Sequence, residues 1–84
     1  MSDWYQIARN VLRAELVRQG VSYRQLAGLL TQLGVVETER SVASKMSRGS
    51  FSFAFYLQTM KALGRPAAHI DLTDIGRDSV ANRQ

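Results

Sequence analysis

Residues 22–49 read SYRQLAGLLTQLGVVETERSVASKMSRG, and they set the expected fold of the chain. Two segments of this stretch have apolar residues at steps of three and four, which is the spacing of one face of an α-helix. Ser22 can cap the first segment and Thr38 the second. The segments end at Gly34 and Gly49, residues that commonly terminate helices. The stretch therefore predicts two short helices joined by a turn.

The second of these helices has few apolar residues. Only Val42, Ala43 and Met46 can anchor it, so its other side chains must face outward. We expect Lys45 at the margin and a polar outward face made of Arg40, Ser41, Ser44, Ser47 and Arg48. A helix that is supported on a narrow apolar side and exposes a broad polar side is suited to contact with a partner.

A first helix precedes this pair. Asp3 can cap it, with Gln6 in the capping-box position, and Gly20 can end it. Its polar face carries Arg9 and Arg13, one turn apart, which either follow a phosphate backbone or form a solvated face. Its expected apolar face consists of Trp4, Ala8, Val11, Leu12 and Leu16.

Glu15 falls within the apolar arc of the first helix. An unpaired carboxylate would be costly there, so the sequence predicts a basic partner. The candidates are Arg18, Lys45 and Arg48.

A fourth helix follows the pair and ends at Gly64 and Pro66. Either Ser50 or Ser52 can cap it. We expect Phe53 and one neighbouring aromatic residue to fill the core, within an apolar stripe of Phe53, Leu57, Met60 and Leu63.

After Pro66 the helical pattern weakens. Residues 68–72 alternate like a short strand, whereas Thr73 and Asp74 could cap a terminal turn of helix, and both alternatives remain open. The sequence thus predicts an all-α domain over residues 1–75, a compact bundle of four short helices with a fifth helix or a short strand at its end. Residues 76–84 offer little to bury, and we expect a flexible tail there.

Composition limits the classes of protein to consider. The 84 residues suffice for one domain, and the absence of cysteine excludes disulfides and favours the cytoplasm. No segment has the roughly 18 apolar residues of a membrane span, and the first residues do not resemble a secretory signal, so we expect no membrane association. Up to Arg65 nine basic residues face four acidic ones, which favours a polyanionic partner.

Few residues suit catalysis or cofactor binding. His69 is the only imidazole in the chain, and Glu37 and Glu39 are two positions apart, which turns them away from each other on a helix. The sequence contains no glycine-rich phosphate loop. We therefore expect a protein that is not an enzyme, with no metal, no cofactor and no evident small-molecule ligand.

A series of short motifs resembles the phage-repressor (Cro/repressor-like) class of helix-turn-helix domains. The motifs are Ser22-Tyr23-Arg24-Gln25-Leu26-Ala27, then Leu30, Leu33-Gly34-Val35, Ser41-Val42-Ala43-Ser44-Lys45-Met46, Arg48-Gly49, and Leu57, Met60 and Ala62-Leu63-Gly64. The resemblance covers roughly residues 8–65. The sequence resembles a small bacterial family of unknown function more closely still. The residues that carry this resemblance are Tyr23, Lys45, Arg48-Gly49 and Phe51-Ser52-Phe53.

The resemblance implies sequence-specific binding of double-stranded DNA by a bacterial or phage transcriptional regulator. The recognition helix would span about residues 39–48 and lie in the major groove, with base-edge contacts from Arg40, Ser41 and Ser44. Phosphate contacts would come from Ser22, Arg24, Gln25, Lys45, Arg48, Ser50 and Ser52. We expect a homodimer, because one such unit rarely binds specifically alone, with the aromatic run or residues 68–72 at the dimer contact.

Two features depart from that class. The turn between the paired helices is about two or three residues longer than usual, and Glu37 and Glu39 place negative charge in the first turn of the recognition helix. They favour an alternative, a protein-interaction module of antitoxin or adaptor type on a helix-turn-helix scaffold. A third alternative is a single-strand or RNA binder that stacks bases on Phe51, Phe53 and Tyr56.

Overall fold

The computed structural model describes residues 3–65 and residue 70, and within them the chain forms four α-helices and no strand. The helices are α1, Trp4–Gln19; α2, Tyr23–Gln32; α3, Glu39–Arg48; and α4, Phe53–Ala62. The expected all-α fold with four helices is therefore confirmed for this part of the chain. The expected fifth helix or strand and the tail over residues 76–84 lie outside the described residues, apart from Ile70.

Each helix begins at a polar residue whose side chain accepts hydrogen bonds from backbone N–H groups. Asp3 accepts from the N–H groups of Tyr5 and Gln6 at the start of α1. Ser22 and Thr38 form capping boxes at the starts of α2 and α3. Ser52 caps α4, which decides between the two serines that could do so. These caps satisfy donors that a helix start otherwise leaves without a partner.

Two helices end at a glycine in the left-handed conformation, but the two ends differ in their surroundings. Gly20 ends α1 and Gly49 ends α3, each with φ of 68°. A Cβ at Gly20 would meet open space, whereas a Cβ at Gly49 would overlap the backbone carbonyl oxygen of Tyr5. The C-terminal end of α3 therefore lies directly against the first turns of α1.

The core draws on all four helices. α3 packs against α2 and α1, and α4 packs against α2. The buried apolar residues are Leu12 and Leu16 of α1, Leu26, Ala27 and Leu30 of α2, Val42 and Met46 of α3, and Phe55, Tyr56 and Met60 of α4. α3 thus contributes only two buried apolar side chains, in keeping with the few apolar residues of its sequence.

The buried face of α4 differs from the prediction. Phe53 is 70% exposed and Leu57 is 46% exposed, so the expectation that Phe53 fills the core is wrong. Phe55 and Tyr56 are buried instead. The start of α4 is apolar around its whole circumference, so periodicity alone does not select the face that turns inward. Packing of Phe55 against Phe51, with ring centroids 5.6 Å apart, accompanies the observed rotation.

Trp4 also departs from its expected position. Helical spacing predicts it on the apolar face of α1, yet its side chain is 61% exposed.

Within residues 3–65 and 70, none of the helices combines the length and apolar character that crossing a bilayer requires.

Candidate functional site

The exposed side of α3 carries a polar stripe, defined here as Arg40, Ser44, Ser47 and Arg48. These residues follow one another at steps of four, three and one, so they lie on one side of the helix. Val42 and Met46 are completely buried on the opposite side. Two anchors therefore hold a ten-residue helix whose other side is available to a partner.

The hydroxyl of Ser41 is engaged at the start of α3. It accepts a hydrogen bond from the Thr38 N–H at 2.8 Å and donates to a carboxylate oxygen of Glu37 at 2.6 Å. Ser41 is also half-buried, unlike Arg40 and Ser44. Of the three residues predicted to reach base edges, Arg40 and Ser44 thus have exposed side chains, whereas Ser41 stabilises the helix start.

Lys45 is held against the protein. Its ammonium donates to the carboxylate of Glu37 and lies 5.1 Å from the centroid of the Phe55 ring. The Glu37 side chain is only 8% exposed. This geometry weakens the prediction that Lys45 contacts a phosphate, because its charge is already balanced within the molecule.

Glu37 occupies a different place from the one expected. It precedes Thr38, the residue that caps α3, so only Glu39 stands in the first turn of the helix. Partial burial by itself raises the pKa of Glu37, but the hydrogen bonds from Lys45 and Ser41 and the charge of Lys45 outweigh it and hold the pKa below its usual value. At neutral pH Glu37 is therefore ionised and its charge is balanced by Lys45, so Glu39 is the exposed acidic residue at the start of α3.

Three of the polar residues that were predicted to hold phosphate, Ser22, Gln25 and Ser52, lie at helix starts. Ser22 and Gln25 bond each other's backbone N–H groups, at 3.1 Å and 2.9 Å, and Ser52 accepts from the Phe55 N–H at 3.0 Å. Ser50 is exposed between α3 and α4, and Arg24 is exposed in the first turn of α2. The predicted phosphate residues thus belong to three parts of the chain: the start of α2, the second half of α3 and the segment between α3 and α4.

Two arginines of α1 lie closer to α2 and α3 than their sequence position indicates. Arg13 donates to the hydroxyl of Tyr23, the first residue of α2, at 3.0 Å. Arg9 donates to the carbonyl oxygen of Ser47, near the end of α3, at 3.1 Å. The sequence marks Arg9 and Arg13 only by their spacing of one turn. The hydrogen bonds that bring them to the other helices join distant parts of the chain and leave no local signal.

Glu15 is 5% exposed, and the predicted basic partner is present. Arg18 donates to Glu15 Oε1 at 2.7 Å, while Lys45 and Arg48 form no ion pair with it. Arg65, which was not among the candidates, places a guanidinium nitrogen 3.5 Å from Glu15 Oε2. Burial raises the pKa of the neighbouring Tyr56 hydroxyl, the negative charge of Glu15 adds to the rise, and Arg65 partly offsets it.

A second exposed feature is an apolar groove of about 380 Å³ between α1 and the start of α4. Its lining residues include Trp4, Ile7 and Val11 of α1, Phe53 and Tyr56 of α4, and Ile70. The ring of Phe53 stacks on Tyr56, with centroids 5.9 Å apart, and remains largely open to solvent. An exposed aromatic patch of this kind is typical of a protein-contact surface.

The described residues bring no three metal-ligating side chains together.

The family model described as "Domain of unknown function (DUF6471)" matches residues 4–67 and so covers all four helices. No curated protein and no solved structure matches the chain. The family match agrees with the expected likeness to a family of unknown function, and the likeness to phage repressors stays a resemblance.

Proposed function

This chain belongs to the DUF6471 family, and we propose that it binds double-stranded DNA in a sequence-specific manner as a small transcriptional regulator of the cytoplasm. In this proposal α2 and α3 form a helix-turn-helix, and α3 enters the major groove. The protein acts by binding and needs no cofactor.

The observation that carries the proposal is the division of α3 into a narrow buried side and the polar stripe. An α-helix with its side chains is about 10–12 Å across, and the major groove of B-DNA is about 12 Å wide. A helix can enter that groove only if little of its circumference is needed for its own core. Val42 and Met46 are the only fully buried apolar anchors of α3, which leaves the required surface free.

Roles within the interface follow from exposure. Arg40 is exposed in the first turn of α3, and its planar guanidinium suits a bidentate contact with guanine. Ser44 lies one turn further and can bond a base edge as donor or acceptor. Ser41 would reach a base only by giving up its bonds to Thr38 and Glu37, so we assign it to the helix start.

We assign the phosphate contacts to exposed residues of α2, of the end of α3 and of the segment before α4. Arg24 and Arg48 are exposed arginines without an acidic partner among the described residues. Ser22, Gln25, Ser50 and Ser52 add polar groups near the starts of α2 and α4. We assign Lys45 an indirect role, because its pairing with Glu37 removes a buried negative charge from the approach to DNA.

A single unit of this size buries little DNA, so we further propose a homodimer that reads two half-sites about 34–36 Å apart. The apolar groove is the surface best suited to the second copy. Phe53 lines this groove with 70% of its surface exposed, and a two-fold axis would bring the exposed aromatic rings of the two copies together.

The proposal is tested by selecting binders from a random duplex library and sequencing the enriched DNA. We expect an inverted repeat with a guanine contacted by Arg40. Affinity for the selected duplex should fall steeply with salt, and Arg48→Ala should flatten that dependence by about one unit. Lys61→Ala removes another exposed charge, at the end of α4, and serves as the control. No enrichment and no binding to mixed duplex DNA at low salt would refute the proposal.

The apolar groove also favours one second candidate function, a protein-interaction module that binds a different protein through Trp4 and Phe53. The negative charges of Glu37 and Glu39 favour this alternative less than the sequence indicated, because Lys45 neutralises Glu37. A monomeric chain that fails to bind DNA at low salt would favour this candidate over the regulator.

A further inference from the structure

We infer that α1 forms part of the DNA interface and that Arg9 and Arg13 contact the phosphate backbone beside α3. This inference rests on the proposed function, and it assigns a third helix to the same interface. It concerns residues that the resemblance to helix-turn-helix domains does not mark.

Arg9 and Arg13 lie where α1 meets α3 and α2. Arg13 is bonded to Tyr23, which opens α2, and Arg9 is bonded to the carbonyl of Ser47, next to Arg48 at the end of α3. Arg9 and Arg13 are one helical turn apart on α1, which corresponds to about 5.4 Å along its axis. One turn of α1 therefore connects the start of α2 with the end of α3, the two places where the proposal expects phosphates.

The positive charges of Arg9 and Arg13 are not paired within the described part of the chain. Neither arginine forms an ion pair with a carboxylate among residues 3–65. The carboxylates of this region are engaged or distant: Asp3 caps α1, Glu15 pairs with Arg18 and Arg65, Glu37 pairs with Lys45, and Glu39 stands at the opposite end of α3. Among residues 3–65, Arg9, Arg13 and Arg48 thus carry positive charge that no carboxylate balances.

The guanidinium groups of Arg9 and Arg13 are oriented by the protein before any phosphate binds. Each guanidinium has five N–H donors, and the described hydrogen bonds occupy one donor of Arg9 and one of Arg13. Each bond fixes the side chain against a neighbouring helix while its remaining donors stay available. Less rotational freedom is then lost when a phosphate binds.

The competing explanation is that the two arginines only hold α1 to α2 and α3. A structural role affects folding, whereas a phosphate contact affects the salt dependence of DNA binding. The two are separated by Arg9→Gln and Arg13→Gln, which retain a side-chain donor but remove the charge. Arg9→Lys and Arg13→Lys retain the charge, and Lys61→Gln removes an exposed charge at the end of α4, outside the proposed interface.

The experiment measures the affinity of the full chain for mixed-sequence duplex DNA between about 50 and 200 mM salt, together with its thermal melting. We expect each glutamine variant to reduce the slope of log affinity against log salt by about 0.9, and the double variant by about twice that. The lysine variants and Lys61→Gln should keep the wild-type slope. On a selected duplex, the glutamine variants should weaken binding by the same factor as on mixed DNA.

Unchanged slopes in the double glutamine variant, with wild-type binding intact, would overturn this inference and leave the proposed function standing. A lower melting temperature with an unchanged slope would overturn it as well, since that combination shows a purely structural role. If the wild-type chain itself bound no duplex, the proposed function and this inference would both fail.

Discussion

Gly49→Ala should destabilise the fold far more than Gly20→Ala, although both glycines have φ of 68°. A residue with a Cβ in the left-handed conformation costs about 1–2 kcal/mol, and this cost is common to both variants. Only at Gly49 does the new Cβ overlap the carbonyl oxygen of Tyr5. Because backbone cannot move aside as a side chain can, α1 and α3 must separate. Forced overpacking adds about 1–3 kcal/mol.

The expected totals are about 1–2 kcal/mol for Gly20→Ala and about 2–5 kcal/mol for Gly49→Ala. Denaturant unfolding of the two variants and the wild type gives both values directly. In thermal unfolding each additional kcal/mol corresponds to about 4–8 °C for a domain of this size. Equal destabilisation of the two variants would refute the close approach of α3 to α1, and with it the position given to Arg9.

Further predictions concern the ion pairs and the groove. Glu15→Ala should lower the free energy of unfolding by about 1.5–3 kcal/mol, because it removes the charge-assisted hydrogen bond from Arg18 and the ion pair with Arg65; an unchanged melting temperature would contradict the burial of Glu15. The pKa of Glu37 lies below its ordinary value of 4.5, so its contribution to stability is present above that pH and is lost as the pH falls through the folded-state pKa. The stability difference between wild type and Glu37→Gln should therefore shrink in acid, and a difference independent of pH would disprove the ion pair. Phe53→Ser should weaken self-association in sedimentation experiments. At protein concentrations too low for the wild type to dimerise it should leave the melting temperature unchanged, whereas a loss of stability under those conditions would place the ring in the core.

The helix boundaries could be predicted from the sequence because capping is local. Ser22, Thr38, Gly20 and Gly49 all act within a few residues of their own position, and each is recognisable from residue type and spacing. The narrow apolar side of α3 was also predictable, because its few apolar residues allow only one face of the helix to turn toward the core.

The face of α4 was not predictable, because Phe53, Phe55, Tyr56 and Leu57 make both sides of its first turns apolar. Tertiary packing decided that Phe55 turns inward and Phe53 outward. The deciding contacts join helices that are distant in the chain, and no local pattern records them.

The candidate site was predictable to a similar degree. Arg40, Ser44 and Arg48 have the exposed positions that helical spacing assigns to them. Ser41 and Lys45 share that spacing, yet Glu37 engages both from the preceding turn. Helical periodicity describes which way a side chain points and carries no information on a loop residue that folds back against it.

The orientation of α3 toward DNA is open to direct measurement. A duplex selected from the random library is titrated into isotope-labelled protein, and the amide signals are followed by NMR. We predict that the largest shifts fall on the polar stripe of α3, on Arg24 at the start of α2, and on Arg9 and Arg13. Shifts concentrated around Trp4 and Phe53, with α3 unaffected, would contradict the insertion of α3 into the groove.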